Sequence, residues 1–268
     1  MTKYLFCCVF AAFFVSSCNS DKPSNNTRAS LSPDGVNAIA GNWIAIDFCS
    51  FAGKYGSVLK AMNSTHKPYA YAITFNPAKP DSALCFNGFE SFYLPLKIQG
   101  DTLIELIGAR PGKSIFLDYD AQTNKDMTMY DATMGRAYTN QMIKAGNSSK
   151  TGYQSFLTAL NHHLLAGTFH LKNDKKAAPI QFTSNGEIIG LADYDRFELC
   201  TAGDCFLTAQ ETDIVICSKS RVKDSDNYFG FRFSDDLKTL TLFHLTNPNP
   251  EEKGTYEVGQ PAYTLVRE

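Results

Sequence analysis

The 268-residue chain has one tryptophan, almost no net charge and no long apolar run. Its 25 Lys and Arg stand against 27 Asp and Glu, a formal net charge of −2. A near-neutral, slightly acidic chain carries no electrostatic footprint for nucleic acid, so no nucleic-acid partner is expected. No stretch approaches the ~18 consecutive apolar residues of a transmembrane helix, and none is predicted. Gly-x-Ser-x-Gly, His-Glu-x-x-His and a phosphate-binding glycine loop are all missing. The chain is therefore expected not to be an enzyme and to need no cofactor.

The N-terminus carries the clearest signal. Residues 5–15 read Leu-Phe-Cys-Cys-Val-Phe-Ala-Ala-Phe-Phe-Val, behind Lys3. This is the length of a signal-peptide apolar region and too short to span a bilayer. No Ala-x-Ala closes it. Val15-Ser16-Ser17-Cys18 follows instead, which resembles the bacterial lipoprotein signal: small residues before a cysteine that is acylated and becomes the new N-terminus. That resemblance implies export, lipidation of Cys18 and a membrane partner reached through the lipid. A plain secretory signal or a small anchor is the alternative. Acyl chains contribute ~0.8 kcal/mol per buried methylene, so a multiply acylated Cys18 is a stable anchor. Asn19 stands where some lipoproteins carry an inner-membrane-retaining Asp, which favours the outer membrane, on either its periplasmic or its surface face. Residues 18–35 are rich in Ser, Asn and Pro and poor in large apolar residues, and read as a flexible tether.

Five cysteines follow Cys18: Cys49, Cys85, Cys200, Cys205 and Cys217. An exported compartment permits disulfides, but an odd number leaves at least one unpaired. Cys49–Cys85 and Cys200–Cys205 are the possible bridges, the second across the turn-like Thr-Ala-Gly-Asp. Buried free thiols are the competing reading. Cys-x4-Cys approaches a zinc spacing, but no second Cys or His pair matches it, and no metal is expected.

The same unit occurs twice. Ile39-Ala40-Gly41-Asn42-Trp43-Ile44 parallels Leu165-Ala166-Gly167-Thr168-Phe169-His170 at an offset of 126 between the glycines, and Arg136-Ala137-Tyr138-Thr139 parallels Pro261-Ala262-Tyr263-Thr264 at an offset of 125 between the tyrosines. Between these ends, Ala72–Phe75 parallels Pro179–Phe182, and 101–106 parallels 212–216. Likewise 114–118 parallels 228–233, and 127–131 parallels 240–244. Inner offsets are smaller, which places extra residues at 50–66 in the first copy and 247–258 in the second. Order and spacing together indicate a duplicated domain.

Each copy is a series of short strands separated by turns such as Asn87-Gly88 and Asn185-Gly186. Phe229, Phe231 and Phe233 alternate cleanly. Such a series indicates an antiparallel barrel or sandwich, and a closed meander of about eight strands removes exposed edges. Tyr153, Phe156, Leu157, Leu160 and Leu164 form one helical face behind a Thr151–Gln154 capping box. This helix is expected to join the two copies and pack on one of them. Phe51, Tyr55, Val58, Leu59 and Met62 form a weaker stripe, interrupted by Gly53 and Gly56, that could plug or lid a barrel end.

Gly41-x-Trp43 at the head of a first strand resembles the opening motif of lipocalin-like (calycin) barrels. In that family an Arg near the last strand stacks over the Trp and closes the barrel floor. Arg136 is the positional match for Trp43, and Arg267 is the candidate in the second copy, where Phe169 replaces the Trp. The layout resembles two-domain lipocalin-like lipoproteins of the Bacteroidota type. The expected fold is all-β: two tandem small antiparallel up-and-down β-barrels joined by a helical linker. The units are a signal peptide at 1–17, a tether at 18–35, a first barrel at 36–140, the linker at 141–165 and a second barrel at 166–268.

Other candidate groups favour bland roles. His162 and His163 point about 100° apart on a helix, a poor arrangement for joint metal ligation. Asp118, Asp120 and Asp131 lie near one another in sequence and would need to converge in a cleft to act as a glycosidase pair. Asp81-Ser82-Ala83 and Asp101-Thr102-Leu103 are similar to O-glycosylation tripeptides. Two functions remain open. One is a membrane-anchored, non-catalytic protein holding a small apolar or amphipathic ligand in a calycin-type barrel. The other is a structural or protein-interaction lipoprotein with packed barrels and an envelope protein partner.

Overall fold

The structure, a computed structural model, describes residues 35–99, 102–132, 138–146, 149–174, 177–191, 193–202, 212–223, 225–247 and 256–268. Cys18, Arg136 and Cys205 lie outside them, as do the signal peptide and nearly all of the tether.

A short helix α1 (Gly35–Ile39) leads into the first barrel. Its strands are β1 (Gly41–Ala45), β2 (Ala72–Phe75), β3 (Ser82–Phe86), β4 (Ser91–Gln99), β5 (Leu103–Arg110), β6 (Lys113–Tyr119), β7 (Asp126–Asp131) and β8 (Tyr138–Lys144). They pair antiparallel in chain order, and β8 returns to β1 to close the barrel. Because β8 runs to Lys144, this barrel extends beyond residue 140. Side chains alternate across the wall, as the pleat requires. Trp43, Ile73, Cys85, Ile104, Leu117 and Met129 belong to one apolar cluster that fills the interior. Ile44, Ala72 and Phe86 belong to a different apolar layer outside the barrel.

The second barrel comprises β9 (Gly167–Leu171), β10 (Ile180–Phe182), β11 (Ile188–Ile189), β12 (Arg196–Leu199), β13 (Asp213–Ser218), β14 (Asn227–Phe233), β15 (Thr239–Thr246) and β16 (Glu257–Arg267). Its sheet runs β11-β10-β9-β16-β15-β14-β13-β12. A narrow seam closes it: Glu187 bridges Arg196, Ile188 N–H donates to Asp195 O at 2.9 Å, and Phe197 N–H donates to Gly186 O at 2.8 Å. Strands of equal rank in the two barrels carry the segments matched in sequence: β1 with β9, β2 with β10, β5 with β13, β6 with β14, β7 with β15 and β8 with β16.

Between the barrels lies α4 (Gly152–Leu164), whose Thr151–Gln154 capping box is formed in both directions. Phe156, Leu160 and Leu164 on its apolar face touch one continuous core. That core joins the outer face of the first barrel (Ile44, Ala72, Phe86) to the interior of the second (Phe169, Phe182, Phe197). The helix therefore packs on both barrels rather than on one.

The 51–62 stripe forms two helices, α2 (Ile46–Tyr55) and α3 (Val58–Met62), broken at Gly56 in the left-handed conformation (φ 61°). Phe48, Cys49 and Ala52 of α2 join the layer that contains α4, so the segment cements the junction instead of plugging a barrel end. Gly53 makes that close crossing possible: a Cβ there would sit 2.3 Å from His163 O. Two further links cross the junction. Thr201 Oγ1 donates to Gly88 O at 2.9 Å, and Leu59 N–H donates to the Asp213 carboxylate at 2.9 Å.

Candidate functional site

The floor of each barrel is built the same way, and the register identifies its parts. Trp43 on β1 stands opposite Lys144 on β8; Phe169 on β9 stands opposite Arg267 on β16. Lys144 Nζ lies 5.7 Å from the Trp43 ring centre, and the Arg267 guanidinium lies 5.0 Å from Phe169 and 5.2 Å from Phe233. Each cation also donates to a carbonyl five residues before its aromatic: Lys144 to Ala38 O at 3.5 Å, Arg267 to Leu164 O at 2.9 Å. These carbonyls belong to the last turns of α1 and α4. The cation thus satisfies an orphan helix-end carbonyl while lying over an aromatic face. Burial lowers the pKa of Arg267 from its ordinary value.

Trp43 is fully buried, donates Nε1–H to Ile39 O at 2.7 Å and meets Tyr119 edge-on at 5.8 Å. It therefore sits where a floor residue belongs. Among the described residues the cation over it is Lys144; the expected Arg136 lies outside them. Sequence reasoning missed Lys144 because it anchored the last strand on the Tyr138–Tyr263 match. The available signal was a cation closing the last strand of each copy.

At the opposite end, the first barrel opens into a mouth cleft of about 370 Å³. Tyr69, Phe92 and Tyr138 supply aromatic walls; Lys67, Arg110 and Asp131 supply charge. Tyr69 is held by its hydroxyl, which donates to Ala109 O at 2.7 Å, and the Arg110 guanidinium lies 5.8 Å from its ring centre. Burial raises the pKa of Tyr69, with Arg110 acting in the opposite direction. At the corresponding end of the second barrel, the described residues form a cleft of about 230 Å³, lined by Tyr194, Phe229 and His244 among others. A third cleft of about 560 Å³ lies between the barrels beside the start of α4, with Phe86, Phe89 and Tyr153 along it.

The cysteines correct one expectation. Cys49 and Cys85 are free and buried, not bridged. The reason is directional: Cys49 faces the junction core from α2, whereas Cys85 faces the interior of the first barrel from β3. Burial pushes the Cys85 and Cys217 thiols up to about 12, and Cys49 higher still. Cys200 is disulfide-bonded; its expected partner Cys205 lies outside the described residues.

The remaining candidates do not assemble. Asp118 pairs in register with Thr128, three residues from Asp131, so the two positions are about 10 Å apart along the strand and their side chains lie on opposite faces of the barrel wall. Asp118 accepts from Thr102 Oγ1 at 2.9 Å, and Thr102 is buried, which removes the 101–103 tripeptide as an accessible modification site. The His162 and His163 rings lie 5.5 Å apart, edge to face, and burial lowers the pKa of His163. Among the described residues no group of three His, Cys, Asp or Glu side chains is placed to hold a metal, and no helix is long and apolar enough to cross a membrane. Compared with known proteins, the chain matches no family model, no curated sequence and no solved structure.

Proposed function

We propose that the chain is a non-catalytic, lipid-anchored lipoprotein of the cell envelope that holds a small amphipathic molecule at the mouth of its first barrel. Lipidation at Cys18 and placement at the outer membrane rest on the lipoprotein-like N-terminus. The lipocalin-like reading draws support from the duplicated meander and from the aromatic–cation pair that closes each floor.

The observation that carries the ligand reading is the mouth itself. An eight-stranded barrel has room for packed side chains or one small ligand. Here the lower interior is filled by residues such as Trp43, Ile73, Ile104 and Leu117, while the described residues leave a cleft at the mouth. Its aromatic walls suit an apolar tail, and Lys67, beside Arg110 and Asp131, suits an acidic head. Pockets of this kind combine apolar walls with a few polar groups that fix orientation.

Calorimetric titration tests this with dodecanoate and dodecylamine. Saturable binding of dodecanoate, weakened in Lys67→Ala and Phe92→Ala, is expected, with dodecylamine inert. Equal behaviour of the two amphiphiles, or no heat from either, rejects the ligand reading. The filled interior also favours the second reading, a packed interaction module for an envelope protein. An empty mouth would leave that reading in place.

A further inference from the structure

The cleft between α4 and the outer face of β12 and β13, about 770 Å³, mixes charged and polar side chains with an apolar strip. At its lining lies Asn161, only 4 % exposed. Its Nδ2 donates to Ser184 O at 3.3 Å, but its Oδ1 has no hydrogen-bond partner among the described residues. A buried amide oxygen left unpaired is costly, and this one, itself sealed from solvent, lies behind the wall of the cleft.

Around it the cleft interleaves donors and acceptors. Lys150 Nζ is fixed by Thr158 Oγ1 at 2.9 Å and Asn185 Oδ1 at 2.8 Å. Arg196 and Glu198 alternate along the outer face of β12, and Asp226 closes the rim. Glu198 accepts from the Tyr153 hydroxyl, which orients it. A simple anion would face Glu198 and Asp226; a simple cation would face Lys150 and Arg196. A hydroxyl both donates and accepts, so a neutral polyhydroxylated molecule satisfies both signs together. Leu157 and Ile216 add an apolar strip for the C–H face of a sugar ring, and the volume lies within the ~300–1,000 Å³ of small-molecule sites. We infer that this cleft is a saccharide-binding site, built by α4 against the second barrel and independent of the mouth of the first.

Saturation-transfer difference NMR on the full-length chain, in a detergent without a sugar headgroup, tests it with glucose, N-acetylglucosamine and maltose. At least one sugar should give a saturable signal. Arg196→Ala and Asp226→Ala change exposed side chains, and each should weaken binding about tenfold or more with an unchanged thermal midpoint. Lys67→Ala at the mouth should have no effect. No saturable signal from any of the sugars overturns the site, as does a signal unaltered by the Arg196 and Asp226 variants. A signal abolished by Lys67→Ala overturns it too, because the sugar then occupies the mouth.

Discussion

Trp43 and the free cysteines among the described residues, Cys49, Cys85 and Cys217, show what single residues contribute. Trp43 is fully buried against Tyr119 and under Lys144, so Trp43→Ala should cost about 3–5 kcal/mol through lost contacts and a residual cavity. Chemical denaturation checks this, and an unchanged midpoint would contradict the floor role. The thiolate is the reactive form of cysteine, and burial holds Cys85 and Cys217 near 12 and Cys49 higher. Iodoacetamide at pH 8 should therefore leave all three unmodified in the native protein and modify all three after denaturation without reductant. Finding Cys49 and Cys85 blocked until reduction would restore the bridge that the structure removes. That bridge was plausible in sequence because these are the only cysteines of the first half. What the sequence did not carry is direction: one thiol on a helix facing outward from the barrel, the other on a strand facing in.

At the scale of elements, local chemistry was legible and register was not. The capping box of α4 depends on residues three apart, so Thr151 and Gln154 announced it. The floor cations depend on which residue of the last strand stands opposite Trp43 or Phe169. Only strand pairing fixes that, and it selects Lys144 and Arg267. Gly53 looked like a weakness in a helix. It proves to be the contact point of α2 with α4, since a methyl there would press on His163 O. Ala at position 53 gains about 1 kcal/mol in helix propensity. We nevertheless expect Gly53→Ala to destabilise by ~1–3 kcal/mol from overpacking, and a gain in thermal midpoint would refute the close crossing.

Asp213 adds a pH dependence at the same junction. The pKa of its carboxyl is raised by burial, with hydrogen bonds from Ser57, Leu59 and Val58 opposing. A raised carboxyl contributes stability that is complete below its ordinary pKa and is lost as pH rises through the raised value. The stability of the native chain should therefore gain on that of Asp213→Asn as pH falls from neutral into the carboxylate range. A constant difference would show that the carboxyl does not feel its burial.

The whole molecule behaves, on this account, as one body made from two copies. The strand ranks were visible in the repeat because each matched segment became a strand. The fusion was not, because it needs α2 and α4 to present apolar faces to two barrels at once. One core runs from Phe86 on the outside of the first barrel through Phe156 to Phe169 inside the second. Thr201→Val removes the donor to the buried Gly88 carbonyl and should cost ~1–3 kcal/mol. Differential scanning calorimetry should show that loss in a single unfolding transition; two separated transitions would mean the barrels do not share a core.

The central claim is that the mouth cleft above a filled barrel holds an amphipathic small molecule. The most direct measurement is a pair of native and denaturing mass spectra of the protein after exposure to an extract of the cells that produce it. The account predicts an added small-molecule mass in the native spectrum alone, absent from Phe92→Ala. Native protein of bare polypeptide mass, identical in the wild type and that variant, would contradict it.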